Sequence, residues 1–183
     1  AEAARARDEA IAALNDALKL ADDGKQDLNA VTGARSLLAY LLYDARRFRE
    51  SAELGELLAT KFPDAMGSRQ AAKIALAAWQ SLSKDADAGK EAKQRLYSLA
   101  EFMAAKWPTE DEGGVALATL VGAALEARNV DEILAAMKKV PAESPKRAEL
   151  QQRVGTALWR EVRAGPARAS QCSKATTGLS RRT

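Results

Sequence analysis

Only a few residues in this chain have the type and spacing that catalysis requires. Ser81 and Lys84 form a Ser-x-x-Lys pattern, in which a lysine can activate a serine for acylation. A chain of 183 residues is expected to contain this pattern by chance, and its companion motifs belong to mixed α/β folds. Catalysis by these two residues is therefore disfavoured.

The remaining candidates for chemistry are equally weak. The chain contains no histidine, which removes the commonest general base and the usual zinc ligand. Cys172 is the single cysteine and lies in a polar segment without a neighbouring base, so we interpret it as an inert thiol. The acidic clusters Asp85/Asp87 and Glu110-Asp111-Glu112 stand at predicted helix starts, where acids complement the helix dipole. We expect no enzyme activity, no cofactor and no metal site.

The composition predicts that helices and the short connections between them position these residues, except Cys172. Hydrophobic residues make up 47% of the chain but aromatic residues only 5%, because alanine supplies much of the apolar content. Alanine is the best helix former and a poor strand former, so an all-α fold is expected. No apolar run reaches about 18 residues, so we also expect no membrane insertion.

A helix-ending pattern recurs three times along the chain. The three copies are Lys61-Phe62-Pro63, Lys106-Trp107-Pro108 and Lys139-Val140-Pro141. Proline cannot continue a helix, and a lysine in the last turn complements the negative end of the helix dipole. The prolines are 45 and 33 residues apart, a spacing that is typical of stacked helical hairpins.

Hydrophobic periodicity and cap signals predict about eight helices in one domain, residues 1–164. The predicted helices span roughly residues 3–22, 27–45, 47–62, 65–83, 90–106, 109–127, 129–140 and 144–164. Thr109 with Glu112, Asn129 with Glu132, and Ser144 are the predicted N-terminal caps. The residues expected to be among the most buried are Leu38, Leu42, Leu58, Trp79, Leu99 and Leu120. Leu37, Trp107 and Trp159 are also assigned to apolar stripes.

Residues 165–183 have no hydrophobic stripe, and we predict a disordered basic tail. The segment from Arg160 onward carries a net charge of +5, whereas the preceding 159 residues carry −2. A near-neutral body is poorly suited to binding a phosphate backbone, so no nucleic-acid partner is expected. The first residues include neither an initiator methionine nor a signal-peptide core, and we interpret the chain as part of something longer.

The stretch from Arg35 to Pro63 resembles one tetratricopeptide repeat. The positions that match the packing residues of that repeat are Leu38, Ala39, Leu42, Phe48, Ser51 and Pro63. Two positions depart from it, since Arg35 replaces the usual tryptophan and the sizes of Gly55 and Leu58 are reversed. The resemblance implies an α-α superhelix of stacked antiparallel hairpins.

The phrase Lys61-Phe62-Pro63-Asp64, followed by Arg69-Gln70-Ala71-Ala72, is also similar to repeats of bacterial cell-envelope tetratricopeptide proteins. This similarity implies a scaffold that docks peptides or partner subunits and has no catalytic residues. The compartment stays open between the bacterial periplasm or envelope and the cytoplasm, and so does the oligomeric state.

The predicted function is therefore a non-catalytic protein-interaction scaffold. Tyr40 and Tyr43 flank a buried leucine pair and, by the repeat alignment, point to the concave side, where tyrosine suits an interface. The alternative for both is packing against the neighbouring hairpin. The residues predicted to contact a protein or peptide partner are Ser36, Tyr40, Tyr43, Asp44, Arg69, Lys73 and Gln80. The alternative function is a structural spacer or assembly module of a larger envelope protein.

Overall fold

The computed structural model describes residues 2–21, 27–160 and 163, and all its regular secondary structure is helical. Seven helices have both ends within these ranges: α1 Glu2–Ala21, α2 Leu28–Asp44, α3 Phe48–Lys61, α4 Ser68–Leu82, α5 Gly89–Lys106, α6 Asp111–Ala127 and α7 Val130–Lys138. Residues 147–160 form an eighth helix, α8. The all-α prediction is confirmed, and the predicted tail, 165–183, lies outside the described residues.

The three proline stops act as predicted. Helices α3, α5 and α7 end at Lys61, Lys106 and Lys138. Phe62 and Trp107, each directly before a proline, share almost the same backbone conformation, with φ/ψ of −132°/51° and −129°/57°. The proline ring disfavours the helical region for the residue before it, so both helices end two residues ahead of the proline.

Helix starts are predicted less well than helix ends. Asn129 caps α7 as expected, since its side-chain oxygen accepts hydrogen bonds from the backbone N–H groups of Asp131 and Glu132. The predicted cap at Thr109 is wrong, because α6 begins at Asp111 and its N-cap residue is Glu110. The carboxylate of Glu110 does not cap the helix, because it instead pairs with Arg69 of α4.

The prediction that Ser144 caps the last helix is also wrong. Its hydroxyl is buried and has no hydrogen-bond partner among the described residues, and the helix begins three residues later, at Arg147. The guanidinium of Arg147 donates to the backbone carbonyl of Val140. This contact closes the connection between α7 and α8.

The helices pack in two ways. Each helix from α1 to α7 contacts the next one along the chain, and α2 also contacts α4, as α4 contacts α6. The even-numbered helices α2, α4 and α6 therefore lie side by side. Helix α8 joins them through Leu150 and Val154, which share a buried cluster with residues of α6 and α7.

The largest buried cluster lies between α3 and α6 and is centred on Trp79. The Trp79 side chain is fully buried, and its indole N–H donates to Glu56 Oε2 at 3.0 Å. The guanidinium of Arg95 lies 5.4 Å from the Trp79 ring centroid and pairs with the other oxygen of Glu56. The ion pair between Glu56 and Arg95 therefore lies against the buried Trp79 ring and connects α3 to α5.

Ion pairs connect helices that are two apart in the chain. Three pairs link α3, or the loop after it, to α5 at sequence separations of 42, 39 and 42 residues. They join Arg49 to Glu91, Glu56 to Arg95 and Asp64 to Lys106, with N–O distances of 3.2, 3.0 and 3.1 Å. The hydrogen bond from Arg49 lowers the pKa of Glu91 below its ordinary value. These pairs hold α5 beside α3 and the loop after it.

Most of the predicted core is correct. Leu38, Leu42, Leu58, Trp79, Trp107 and Leu99 are buried, whereas Leu120 is only half-buried. Two assignments were wrong, because Leu37 is 51% exposed and Trp159 is 61% exposed. In α2, leucines stand at four positions within six residues, and neighbouring residues on a helix point about 100° apart, so they cannot all face the core.

None of the helices in the described ranges is both long and apolar enough to cross a membrane.

Candidate partner-binding surface

Exposed and half-buried residues of the even-numbered helices form the candidate binding surface. Residues three or four positions apart lie on the same side of a helix, and these helices lie side by side. We call this surface the even-helix face. It is defined by Gly33, Leu37, Tyr40 and Asp44 of α2, Arg69, Lys73 and Gln80 of α4, Gly122 and Glu126 of α6, and Arg153 and Arg160 of α8.

An apolar patch occupies the α2 part of the even-helix face. Leu37 is 51% exposed and Tyr40 is 52% exposed, and the two lie one turn apart. Gly33 lies one turn before Leu37, and a Cβ atom at Gly33 would meet no heavy atom within 4 Å. The patch therefore combines two exposed side chains with a stretch of uncovered helix backbone at Gly33.

Two of the residues predicted to contact a partner are instead part of the packing. Ser36 is buried, and its hydroxyl donates to the carbonyl oxygen of Gly67 at 3.0 Å, which fixes the loop before α4. Tyr43 is half-buried and packs against the central core, with its ring centroid 5.4 Å from that of Phe48. We exclude both from the binding surface, because their contacts hold α2 to its neighbours.

Two of the predicted polar residues on α4, the exposed Arg69 and the half-buried Lys73, are already in ion pairs. Arg69 Nη1 lies 2.8 Å from Glu110 Oε2, and Lys73 Nζ lies 3.0 Å from Asp111 Oδ2. Both acids belong to the start of α6, so these pairs hold α4 beside α6. Half-exposed ion pairs contribute little stability, and a partner can exchange one without a large cost.

The other two predicted residues lie at the edges of the same surface. Asp44 Oδ2 accepts from Arg7 Nη1 at 3.1 Å, which connects the end of α2 to α1. Gln80 is exposed near the end of α4. The structure thus keeps Tyr40 and Gln80 as accessible members of the predicted set and adds Leu37, which the sequence pattern had placed in the core.

A groove continues the even-helix face between α6 and α8. It has a volume of about 530 Å³, and its lining includes Gly122 and Glu126 of α6 and Glu149, Arg153 and Arg160 of α8. The missing side chain at Gly122 opens this groove, because a Cβ there would lie only 3.6 Å from Arg153 Nη2. Periodicity alone did not indicate the groove, since it depends on how two helices 30 residues apart are placed.

A second groove lies on the opposite side of α6, between α5 and α7. Its volume is about 460 Å³ and its floor is apolar, formed by Leu117, Leu120 and several alanines. Glu101 of α5 and, from the start and end of α7, Glu132 and Lys139 supply polar groups to its lining. None of the residues predicted to contact a partner lines this groove.

The residues considered for catalysis make structural contacts. The Ser81 hydroxyl donates to the carbonyl oxygen of Ala77 at 2.9 Å, within the helix. Asp85 accepts hydrogen bonds from the backbone N–H groups of Ala88 and Asp87, which lower the pKa of its carboxyl group. Within the described ranges, no three acidic or cysteine side chains are grouped closely enough to hold a metal ion.

The fold and surface define an all-helical protein built from packed helical hairpins. Comparison of the chain with protein-family models, with curated proteins and with solved structures gave no match. The functional argument therefore depends on the geometry of the described residues.

Proposed function

We propose that this chain is a non-catalytic interaction scaffold of tetratricopeptide type that binds a peptide or protein segment on its even-helix face. The observation that carries the proposal is the exposed pair Leu37 and Tyr40 beside the uncovered helix backbone at Gly33. Tyrosine supplies contact area at low entropic cost, because its side chain has few rotatable bonds.

The stacking of the hairpins supports the α-α superhelix in this proposal. Even-numbered helices contact each other in succession, and ion pairs join helices two apart at separations of 38 to 42 residues. In a tetratricopeptide-type array, the first helices of successive pairs line the surface that faces a ligand. We assign that position to α2, α4 and α6 in this chain.

The mode of recognition follows from the chemistry of the patch. An apolar side chain of the partner would cover Leu37 and Tyr40, and its backbone would approach α2 at Gly33, where no side chain intervenes. The exposed amide of Gln80 and the Arg69 and Lys73 pairs would then orient the polar groups of the partner. Truncating one central anchor of such a contact costs about 2 kcal/mol of binding free energy or more.

Selection from a displayed peptide library tests the proposal without knowledge of the natural partner. Peptides are selected on the wild-type chain and then tested against Leu37→Ala/Tyr40→Ala and against a control, Leu57→Ala. Leu57 is 43% exposed and lies on α3, away from the even-helix face. We expect the double variant to lose the selected peptides and the control to keep them.

The folding of each variant is checked by its helical circular dichroism and its melting temperature. The replaced side chains are about half exposed, so stability changes should be within about 0.5 kcal/mol for each substitution. Equal binding by the double variant and the wild type would place the recognition surface elsewhere and contradict the proposal.

The second candidate is a structural spacer or assembly module. The ion pairs that tie hairpins together at regular separations favour it, because they fix the distance between successive units. In that case the library yields no peptide whose binding depends on Leu37 or Tyr40. The same experiment therefore separates the two functions.

A further inference from the structure

Helix α8 divides its solvent-exposed surface into a charged side and an uncharged side. Its core side carries Leu150 and Val154 against α6 and α7. The charged side faces the α6 groove and carries Glu149, Arg153 and Arg160. On the other exposed side, Ala148, Gln151, Gly155 and Trp159 stand at helical spacing and are uncharged, and Arg163 follows one turn after Trp159. We call the four uncharged residues the α8 stripe.

The α8 stripe contains both a protrusion and a gap. Trp159 is 61% exposed, although tryptophan is the largest apolar side chain. Gly155 lies one turn earlier on the same side, and a Cβ atom there would meet nothing within 4 Å. Core regions of protein interfaces are enriched in aromatic residues and depleted of charge, which matches this composition.

Helix α1, at the other end of the described chain, has a more highly charged outer surface. Its exposed charges pair with each other, as in Arg5 with Glu9 at 2.8 Å and Lys19 with Asp16 at 3.0 Å, although Leu20 in its last turn is 77% exposed. Terminal helices of stacked arrays need such a polar outer surface to stay soluble. The α8 stripe lacks it, which is the pattern of a surface covered by another helix.

We propose that the α8 stripe is the contact surface of a two-fold symmetric dimer, in which α8 packs antiparallel against α8 of a second copy. Residues 155 and 159 are about 6 Å apart along the helix axis, at 1.5 Å per residue. In an antiparallel pair whose two-fold axis passes between them, Trp159 of each copy fills the gap at Gly155 of the other.

The charge pattern selects a second copy as the occupant. A two-fold contact brings the same patch of both subunits together, so any charge near the axis would meet its own kind. The four residues of the α8 stripe are uncharged, whereas the other exposed side of the same helix has three charged residues. Arg163 lies about 9 Å along the helix from the axis, where it would face Gln151 of the second copy and not its own kind. This inference does not depend on peptide binding, because none of the stripe residues belongs to the even-helix face.

Sedimentation equilibrium of the 183-residue chain over a range of concentrations tests the dimer. We expect a reversible monomer–dimer equilibrium in the wild type. Trp159→Ala should raise the dimer dissociation constant at least about tenfold, because a central aromatic anchor is lost. Arg153→Ala, on the charged side of the same helix, should leave the constant within about threefold of the wild type, since its side chain lies outside the proposed contact.

Gly155→Leu provides a second test that cannot be confused with unfolding. Leucine is a better helix former than glycine, and the added side chain meets no atom of its own chain at its Cβ position. The variant should therefore melt at a higher temperature than the wild type as a monomer, yet dimerise at least about tenfold more weakly because the gap for Trp159 is filled.

Three results would overturn the proposal. The first is a wild type that stays monomeric at every concentration, and the second is a dimer that neither Trp159→Ala nor Gly155→Leu weakens. The third is a monomer in which Trp159 is shielded from acrylamide, judged by the difference in quenching between wild type and Trp159→Phe. That result would mean that another segment of the same chain covers the α8 stripe.

Discussion

Two glycine–tryptophan pairs in this chain have opposite environments. In the centre, Gly55 of α3 and Trp79 of α4 are both buried, and the indole N–H of Trp79 is bonded to Glu56. In α8, Gly155 is open and Trp159 is 61% exposed. The same two residue types thus lie in a completed helix–helix contact in one region and on a solvent-exposed helix surface in the other.

The close approach of α3 and α4 explains the difference. A Cβ atom at Gly55 would overlap the carbonyl oxygen of Ala71 and would lie 2.9 Å from the Cβ of Ala75. Glycine is required there because the backbones are in contact, and it reverses the size order expected for a tetratricopeptide repeat. In α8 no neighbouring backbone occupies the equivalent space. Residue type alone therefore does not distinguish a filled interface from an empty one.

The largest expected effect concerns the two tryptophans. Trp79→Ala should lower the free energy of unfolding by about 3–5 kcal/mol, because it leaves a large cavity and an unpaired Glu56 oxygen. Trp159→Ala should change the same quantity by less than about 0.5 kcal/mol in the monomer, as is usual for an exposed position. Urea denaturation followed by circular dichroism measures both values.

Self-association is separated from this comparison by repeating the denaturation at two protein concentrations. If Trp159 contributes to stability only through the dimer, its effect grows with concentration, whereas that of Trp79 does not. A concentration-independent loss of about 3 kcal/mol at Trp159 would show that this side chain is part of the monomer core.

The two glycines should respond to the same substitution with opposite signs. Gly55→Ala forces α3 away from Ala71 and should cost about 1–3 kcal/mol, the usual range for overpacking. Gly155→Ala adds a methyl group into open space and should stabilise the helix by about 0.5–1 kcal/mol. Thermal melts of both variants and the wild type measure the two stability changes. A loss of stability at both positions would contradict the expected opposite signs.

The smallest expected effect is a pH dependence from the ion pair between Arg49 and Glu91. The pKa of Glu91 is lowered in the folded chain, mainly by the hydrogen bond from Arg49, so the folded state binds the proton of this carboxyl less readily. Its stabilising contribution is therefore present above the ordinary pKa of 4.5 and is lost as the pH falls through the lower folded value.

Glu91→Gln checks this sign. The variant should be slightly less stable than the wild type at neutral pH, and the difference should vanish as the pH falls below 4.5. Glu101→Gln, which removes a carboxylate from the same helix, serves as the control for net charge. A difference between Glu91→Gln and wild type that grows in acid would contradict the assignment.

The number of helices and their ends could be predicted from the sequence because these features are local. Proline and the residue before it determine where α3 and α5 end, and Asn129 caps α7 through its own backbone neighbours. Five of the six residues expected in the core are buried. Leu37 could not be placed, because α2 has apolar residues on two adjacent sides and only its packing partners decide which side is covered.

The binding surface and the cap of α6 could not be predicted, because both depend on contacts about 40 residues apart. Glu110 and Asp111 pair with Arg69 and Lys73 at separations of 41 and 38 residues, and no local pattern indicates those partners. Tyr43 was assigned to a partner for a different reason, because its contact with Phe48, five residues later, exists only where α2 packs against α3.

Because the helices differ in how many other helices they contact, local unfolding should be easier in some helices than in others. Among the described helices, α4 contacts α2, α3, α5 and α6, whereas α1 contacts mainly α2. Opening α1 therefore breaks few contacts elsewhere, and opening α4 disrupts most of the array. Amide hydrogens should exchange with solvent fastest in α1 and α8 and slowest in α4, so that local stability rises toward the middle of the chain and falls toward both ends.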